Sequence, residues 1–383
     1  MVTVSVLPLL LGTLKKEIRR DVDKRIINTK RIISAFLTNF PTSFFSLFYI
    51  IAYLYKKENK LYNDCMRKYL LMLVCLCLVA LSGCNIGNRE NTDTRIMMDT
   101  VVSITADCSS DTISEAFNLC YDLEKKLSRT IEGSDISKIN NSDSFVEVGK
   151  ETLFLINKSL MYSRLSGGKF DITICPVSSL YDFSSDSLPN AEDISKALSK
   201  VDYRKIQVDG NCVALKDSSI DLGGIAKGYI ADRLVEFLKQ NGAQEGIVNV
   251  GGNVCCFGKK QVNIGIKKPF SNDIIATVRG GESAYVTSGI YERYIKKDGK
   301  IYHHIIDPLT GYGVENDLAG VTIISKSSAD ADALSTVCML LGLDEGLNLI
   351  ENTSDSEAVF VKKDGSIIVS NGLCIKNNVI TFK

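Results

Sequence analysis

Residues 205–242 read KIQVDGNCVALKDSSIDLGGIAKGYIADRLVEFLKQNG, and three kinds of local signal share this one stretch. Residues 205–216 alternate apolar and polar side chains around Asp209-Gly210, which predicts a β-hairpin. An apolar strand is expected to end at Asp221; Gly223-Gly224 follow, and a helix over 225–241 begins at once and stops at Gly242. The same mixture continues on both sides. Thr112 and Glu115 form a capping box for a helix over 112–128, carried by Ile113, Phe117, Cys120, Leu123 and Leu127 at helical spacing. Further helices are expected over 151–166, ending at Gly167-Gly168, and over 329–341, ending at Gly342, with hairpins at Asp298-Gly299 and Asp364-Gly365. Strands, hairpins and helices succeed one another without a regular β-α-β rhythm, so the expected class is α+β rather than a doubly wound sheet.

The chain has 383 residues, 45% hydrophobic and 23% charged, as an ordinary folded protein has. Its 45 basic and 45 acidic side chains cancel, and a duplex-binding protein would show a basic excess, so no nucleic-acid partner is expected. Trp is absent, and the 2 histidines are neighbours, His303 and His304, so imidazole chemistry has only that place to occur.

The front of the chain reads differently. Residues 69–81 (YLLMLVCLCLVAL) are apolar, too few to span a bilayer, and stand between Arg67-Lys68 and Ser82-Gly83-Cys84. A basic start, an apolar core and a small-residue exit make a secretory signal, and L-S-G-C resembles a bacterial lipobox, in which Cys84 is acylated. Residues 66–83 are therefore expected to be a lipoprotein signal peptide, 84–94 a polar tether, and 95–383 the folded domain. Because a signal of this kind works at an N-terminus, Met66 is the expected start of translation and residues 1–65 a misassigned extension. The alternative is an additional membrane helix over the uncharged residues 32–55, interrupted by Pro41. Of the 12 cysteines, those after Cys84 include no C-x-x-C pair, so zinc-ribbon and thioredoxin-like sites lack support, and spacing assigns no bridges.

Four segments carry more glycine and polar groups than structure alone demands. In 219–232 (SIDLGGIAKGYIAD), small residues expose backbone N–H groups at a helix start with Lys227 in its first turn, an arrangement that favours phosphate; a glycine turn for tight packing is the plain reading. In 328–336 (SADADALST), Asp332 and Thr336 share a helix face and offer hard oxygen donors suited to Mg²⁺; Asp330 and Asp332 would equally serve as charges near a helix start. In 302–313 (YHHIIDPLTGYG) an imidazole precedes an Asp-Pro turn, and in 246–253 (GIVNVGGN) a buried strand opens into a Gly-Gly turn.

Taken in order with 167–172 (GGKFDI) and 286–292 (VTSGIYE), these segments resemble the FAD:protein FMN transferases, the ApbE-type flavin transferases, from about Met98 to Leu341. The lipobox fits, since many relatives are secreted lipoproteins. The resemblance implies a T-fold-related arrangement of mixed sheets and packed helices. It also implies FAD as substrate, Mg²⁺ at its diphosphate, and an acceptor Ser or Thr hydroxyl on a subunit of a membrane electron-transfer complex. Metal-ligand positions match Asp332, Thr336 and the carbonyl of Gly224. Flavin-site positions match Met98, Lys169, Phe170, Asp171, Asp221, Lys227 and Ile306, and His304 matches the general base. Two departures stand out. Met98-Asp99-Thr100 carries a carboxylate where the family has glycine, and Thr130 replaces an aromatic residue that packs on the flavin ring. Some relatives lacking that ring hydrolyse FAD to FMN and AMP, so an FAD pyrophosphatase and a non-catalytic FAD-binding lipoprotein are the competing expectations.

Overall fold

A computed structural model of the chain describes residues 90–383, apart from Asp186 and Lys260. The expected extension 1–65, signal peptide 66–83 and lipidated Cys84 lie outside the described residues. The first part of the domain runs through the hairpin β1 (Asn91–Met97) and β2 (Thr100–Ala106), then α1 (Ser110–Leu127), α2 (Asp135–Asn140), β3 (Val146–Glu147) and α3 (Lys150–Leu165). Short helices α4 (Cys175–Ser178) and α5 (Ala191–Leu198) lead to hairpin β4 (Gln207–Asp209) and β5 (Cys212–Ala214), and then to α6 (Ala226–Gln240). Strands β6 (Gly246–Val250), β7 (Asn253–Phe257), β8 (Val262–Lys267), β9 (Ile274–Gly280) and β10 (Ser283–Gly289) follow, with hairpin β11 (Tyr294–Lys297) and β12 (Lys300–His303). The end comprises β13 (Leu318–Ser325), α7 (Ser328–Leu341), α8 (Leu343–Glu351), β14 (Ser356–Lys362), β15 (Ile367–Val369), β16 (Leu373–Lys376) and β17 (Val379–Phe382).

An antiparallel sheet in the order β1-β2-β6-β7-β10-β13-β14-β15 forms the middle layer. Alternation along its strands sends side chains to two cores. Ile104, Val248, Cys255, Val286, Ile323 and Phe360 face the helices, while Cys256, Tyr285, Ile324 and Val359 meet Val278 and Ile380 of a second sheet, β16-β17-β9-β8. All of β13 is buried because both its faces are covered. The result is the expected α+β class, with helices gathered on one side of an antiparallel sheet. A smaller cluster, Val177, Tyr181, Ile194, Ala197 and Ile306, seats the α4–α5 region against the loop after His304.

Several local expectations shift, each for a reason in the side chains. Strand β1 begins at Asn91 and pairs in register with β2, so 91–94 is an edge strand rather than tether; Thr92 and Thr94 on its exposed face bond Thr105 and Ser103 across the hairpin, and Asn91, Asp93, Arg95 and Met97 are half-buried on the other. Ser109, not Thr112, caps α1, accepting the Thr112 N–H at 3.1 Å. Asp209 pairs with Cys212, which places the turn at Gly210-Asn211, with Gly210 at φ 56°. Residues 219–221 form no strand. The Asn140 side chain takes both polar groups of Ile220 (2.6 and 2.9 Å), and the Asp221 N–H bonds Ile172, so the segment is satisfied without a neighbouring strand.

Candidate active site

The site starts where α6 crosses α7. Gly228 allows that crossing, since a Cβ there would stand 2.2 Å from the Ser328 carbonyl. The same residue's N–H donates to Asp332 Oδ2 at 2.9 Å. One turn on, Asp232 of α6 accepts the N–H groups of Ser328 (2.8 Å) and Ala329 (3.0 Å) and the Ser327 hydroxyl (3.2 Å). It caps α7 from outside the helix and fixes its register against α6. Burial pushes the Asp232 carboxyl above its usual range, and these donors offset that. Asp232 closes the SIDLGGIAKGYIAD segment, yet spacing alone gave no hint of its partner.

Asp332 is 3% exposed, and Gly228 supplies its carboxylate's hydrogen bond; among the described residues no donor meets Oδ1. That oxygen is not sealed from solvent, so it is open to an approaching cation. Thr336 sits one helical turn along, and the Gly224 loop lies beside it: a Cβ at Gly224 would be 3.1 Å from Phe170 Cε2 and 3.7 Å from Thr336 Oγ1. The structure thus brings together the three residues expected to hold a metal, and their carboxylate, hydroxyl and carbonyl oxygens fit a hard divalent cation. Asp330 takes the plainer reading: Lys158 Nζ (2.7 Å) and the Tyr162 hydroxyl (2.5 Å) of α3 bind its Oδ1.

The flavin-site expectations divide. Phe170 is buried between Gly224 and the edge of Tyr162, with ring centroids 6.2 Å apart. Lys169 pairs with Asp307 at 3.1 Å, beside Ile306. Asp221 accepts the Gly223 N–H (2.8 Å) and pairs with Arg129 (3.2 Å), so it shapes the Gly-Gly turn. Arg129 escaped notice because its partner lies far along the chain. Lys227 Nζ donates to the Gly223 carbonyl at 3.1 Å. No side chain caps α6 at its N-cap, but Ala226, Gly228 and Tyr229 already donate their N–H groups to Leu222, Asp332 and Ile225, so the helix start offers an incoming anion chiefly the Lys227 ammonium. Asp171 commits both oxygens to Thr173 and to the Tyr203 N–H, and burial holds its carboxyl above the usual range; its visible work is to order this loop. Met98 N–H donates to Glu124, and exposed Thr130 bonds Ser128, so neither is hydrogen-bonded to the other site residues.

His304 stands at the end of β12. Its backbone N–H and its Nδ1 both meet the Arg293 carbonyl, at 3.1 and 3.2 Å. A carbonyl can only accept, so Nδ1 carries the proton and Nε2 keeps its lone pair. Phe183 meets the ring edge-on at 6.4 Å. The ring keeps some accessible surface, but protein surrounds most of it. Burial first, then the charge of Arg293, with Lys227 contributing, pushes its pKa down to about 3. The imidazole is therefore neutral, and it senses the charge of the lysine that opens α6. His303 is buried outright: Nε2 donates to Val314 at 3.2 Å, Nδ1 has no partner, and burial pushes its pKa down to about 4. An open cavity of about 1140 Å³ is lined by Lys169, Tyr302, His303, Asp307 and Tyr312; it shares the Lys169–Asp307 pair with the site, but Gly224, Lys227, His304, Asp332 and Thr336 do not line it.

Among the described residues no disulfide forms; Cys108, Cys120, Cys175, Cys212, Cys255, Cys256, Cys338 and Cys374 are free thiols. Burial pushes Cys120 and Cys338 up to about 12, so they act as small apolar groups.

Comparison with known proteins identifies the family. The ApbE family model matches residues 98–360. A FAD:protein FMN transferase of Klebsiella pneumoniae is 34% identical over 268 residues, covering 67% of this chain and 84% of that protein. One from Treponema pallidum is 27% identical over 354 residues, covering 83% and 97%. Among solved structures, the ApbE protein of Thermotoga maritima superposes with a TM-score of 0.69 at 30% identity, covering 74% of this chain and 97% of its own. The flavinyl transferase ApbE of Pseudomonas stutzeri, in its apo form, gives 0.65 at 28%, covering 74% and 95%. With its motifs folded together as described and its family model matched over most of the domain, this chain belongs to the ApbE family.

Proposed function

We propose that the protein transfers the FMN part of FAD to a Ser or Thr hydroxyl of an acceptor protein and releases AMP. The observation that carries this reading is the meeting of Gly224, Asp332 and Thr336 beside the start of α6, with a neutral His304 that feels Lys227 of the same helix start. In the reaction the acceptor oxygen bonds to the FMN phosphorus, the bridging P–O bond breaks, and AMP leaves with the bridging oxygen. His304 Nε2 takes the hydroxyl proton, while the Arg293 carbonyl holds the ring in the tautomer that can accept it. The Lys227 ammonium, in the first turn of α6, binds the diphosphate. Burial and Arg293 depress the imidazole pKa most, and the bound diphosphate offsets only the smaller part that Lys227 contributes. Phe170 and the Lys169–Asp307 pair wall the site on the other side.

Asp332, Thr336 and the Gly224 carbonyl would hold Mg²⁺. When bound, that ion supplies Lewis-acid neutralisation of phosphate charge. Alignment and charge stabilisation are the main protein contributions to such a transfer. We further propose that the protein is exported and anchored by lipid on Cys84, facing the periplasm or the cell exterior, where its acceptor is a subunit of a membrane electron-transfer complex. The L-S-G-C sequence supports the anchor; intact mass of the membrane-extracted protein tests it, with a diacylated N-terminal Cys84 as the expected result.

The full chain, mixed with FAD, Mg²⁺ and a flavinylatable acceptor protein, distinguishes the readings. Covalently fluorescent acceptor with one AMP per label is the expected outcome. FMN and AMP without labelled acceptor would make the protein a hydrolase, which exposed Thr130 in place of an aromatic ring favours as the second reading. Neither product would make it a binding protein.

A further inference from the structure

Three hydroxyls next to the Asp332 carboxylate form a chain with one consistent direction. Ser335 Oγ bonds the Asp332 backbone carbonyl at 2.9 Å, Ser288 Oγ bonds Ser335 Oγ at 2.7 Å, and Ser288 Oγ meets Thr336 Oγ1 at 3.3 Å. Each hydroxyl owns a single proton, and a carbonyl can only accept. If all three contacts are hydrogen bonds, Ser335 donates to the carbonyl, Ser288 must donate to Ser335, and Thr336 must donate to Ser288. Any other assignment leaves one contact without a proton. Ser335 is fully buried, so water does not readily replace its partners, while Ser288, on strand β10, is half-buried.

From this direction we infer that Ser288 and Ser335 are positioning residues: they draw the Thr336 proton away and turn the oxygen's lone pairs outward, toward the Gly224 loop. A hydroxyl binds a hard cation through those lone pairs, and one whose proton is engaged elsewhere is ready to do so. Orientation of a ligand by its outer hydrogen-bond partner typically accounts for about 10–100-fold in metal affinity. Ser288 comes from β10 and Ser335 and Thr336 from α7, so the relay also ties the ligand-bearing helix to the central sheet. This inference rests on the proposed metal site, and it assigns work to residues that touch neither substrate nor metal.

The test uses Mn²⁺ as the probe, titrated into the full chain with and without FAD and followed by the electron paramagnetic resonance of free Mn²⁺, beside the metal-free melting temperature. Ser288→Ala is expected to weaken Mn²⁺ binding by about 10–100-fold while Ser288→Thr, which keeps the hydroxyl, restores most of it. A role in packing alone would lower the metal-free melting temperature and leave Mn²⁺ affinity in place; that result overturns the inference. Should Ser288→Ala fail to fold, Ser335→Ala interrupts the same relay one bond further on, with the same expected weakening, and unchanged affinity there likewise overturns it. If wild-type protein and Asp332→Ala bind Mn²⁺ equally, the metal site itself is wrong and the relay falls with it. Wild-type binding that needs Asp332 but ignores Ser288 and Ser335 removes the relay alone.

Discussion

On the α6–α7 side of the site, position is set by backbone. Gly228 lets the two helices approach, its N–H holds Asp332, and Asp232 fixes the first turn of α7. On the β11–β12 side, one carbonyl and one aromatic edge hold the His304 ring. The first arrangement suits groups that must keep a fixed separation around a charged ligand. The second leaves the Nε2 lone pair of a neutral ring free to accept a proton. The two arms should therefore fail differently: damage to the helix arm should remove metal binding and stability together, and damage to the hairpin arm should remove rate.

Removing the carboxylate is expected to have the largest effect. Asp332→Ala should lower metal-dependent transfer by at least ~10²-fold, measured as acceptor labelling at limiting Mg²⁺; undiminished labelling would dissolve the contrast between the arms. On the other arm, His304→Ala should reduce single-turnover transfer by about 10²–10⁴-fold while FAD affinity stays within about threefold. If instead FAD affinity collapsed and bound FAD turned over normally, the hairpin would be a binding element.

Gly228→Ala should cost about 1–3 kcal/mol of stability, read from urea unfolding, and should weaken Mn²⁺ binding in parallel, because α7 must move to accept the methyl group. Loss of stability with intact Mn²⁺ affinity would show that the helix crossing and the ligand geometry are independent. Acid provides a gentler probe of the hairpin side. The pKa values of His303, about 4, and His304, about 3, are depressed below the usual imidazole value, so between there and about pH 6.5 the unfolded chain binds more protons than the folded one. The stability these neutral rings contribute is complete above about pH 6.5 and is lost as pH falls toward 4 and 3. His303→Asn should therefore flatten the fall of melting temperature between about pH 6.5 and 4.5. An unchanged slope would mean that His303 already titrates normally.

How much of this could be read from the sequence depended on distance along the chain. Asp332 and Thr336 were legible because one helical turn separates them, and Asp298-Gly299 was legible because a two-residue turn with positive φ at both positions favours those residue types. The Gly-Gly segment before α6 was legible as a glycine turn opening a helix, but its geometry was not. Asn140 holds Ile220, Arg129 holds Asp221, and Asp232 caps a helix about a hundred residues later, and no periodicity records such pairs. The cap of α1 was misplaced for a simpler reason: Ser109 and Thr112 are both good capping residues three apart, and only backbone geometry chooses between them. Met98-Asp99 shows the reverse case. Both residues take φ above 50°, at 51° and 54°, which explains why glycine is the easier choice for the second position and why Asp, which tolerates the left-handed region, can replace it.

Anomalous scattering from a crystal of the protein grown with FAD and Mn²⁺ tests the account at its centre. A single metal peak bounded by the Gly224 carbonyl, the Asp332 carboxylate and the Thr336 hydroxyl, with the FAD diphosphate against it and His304 Nε2 facing the FMN phosphorus, is the predicted result. A diphosphate bound away from the start of α6, or a metal that leaves Asp332 and Thr336 untouched, would contradict it.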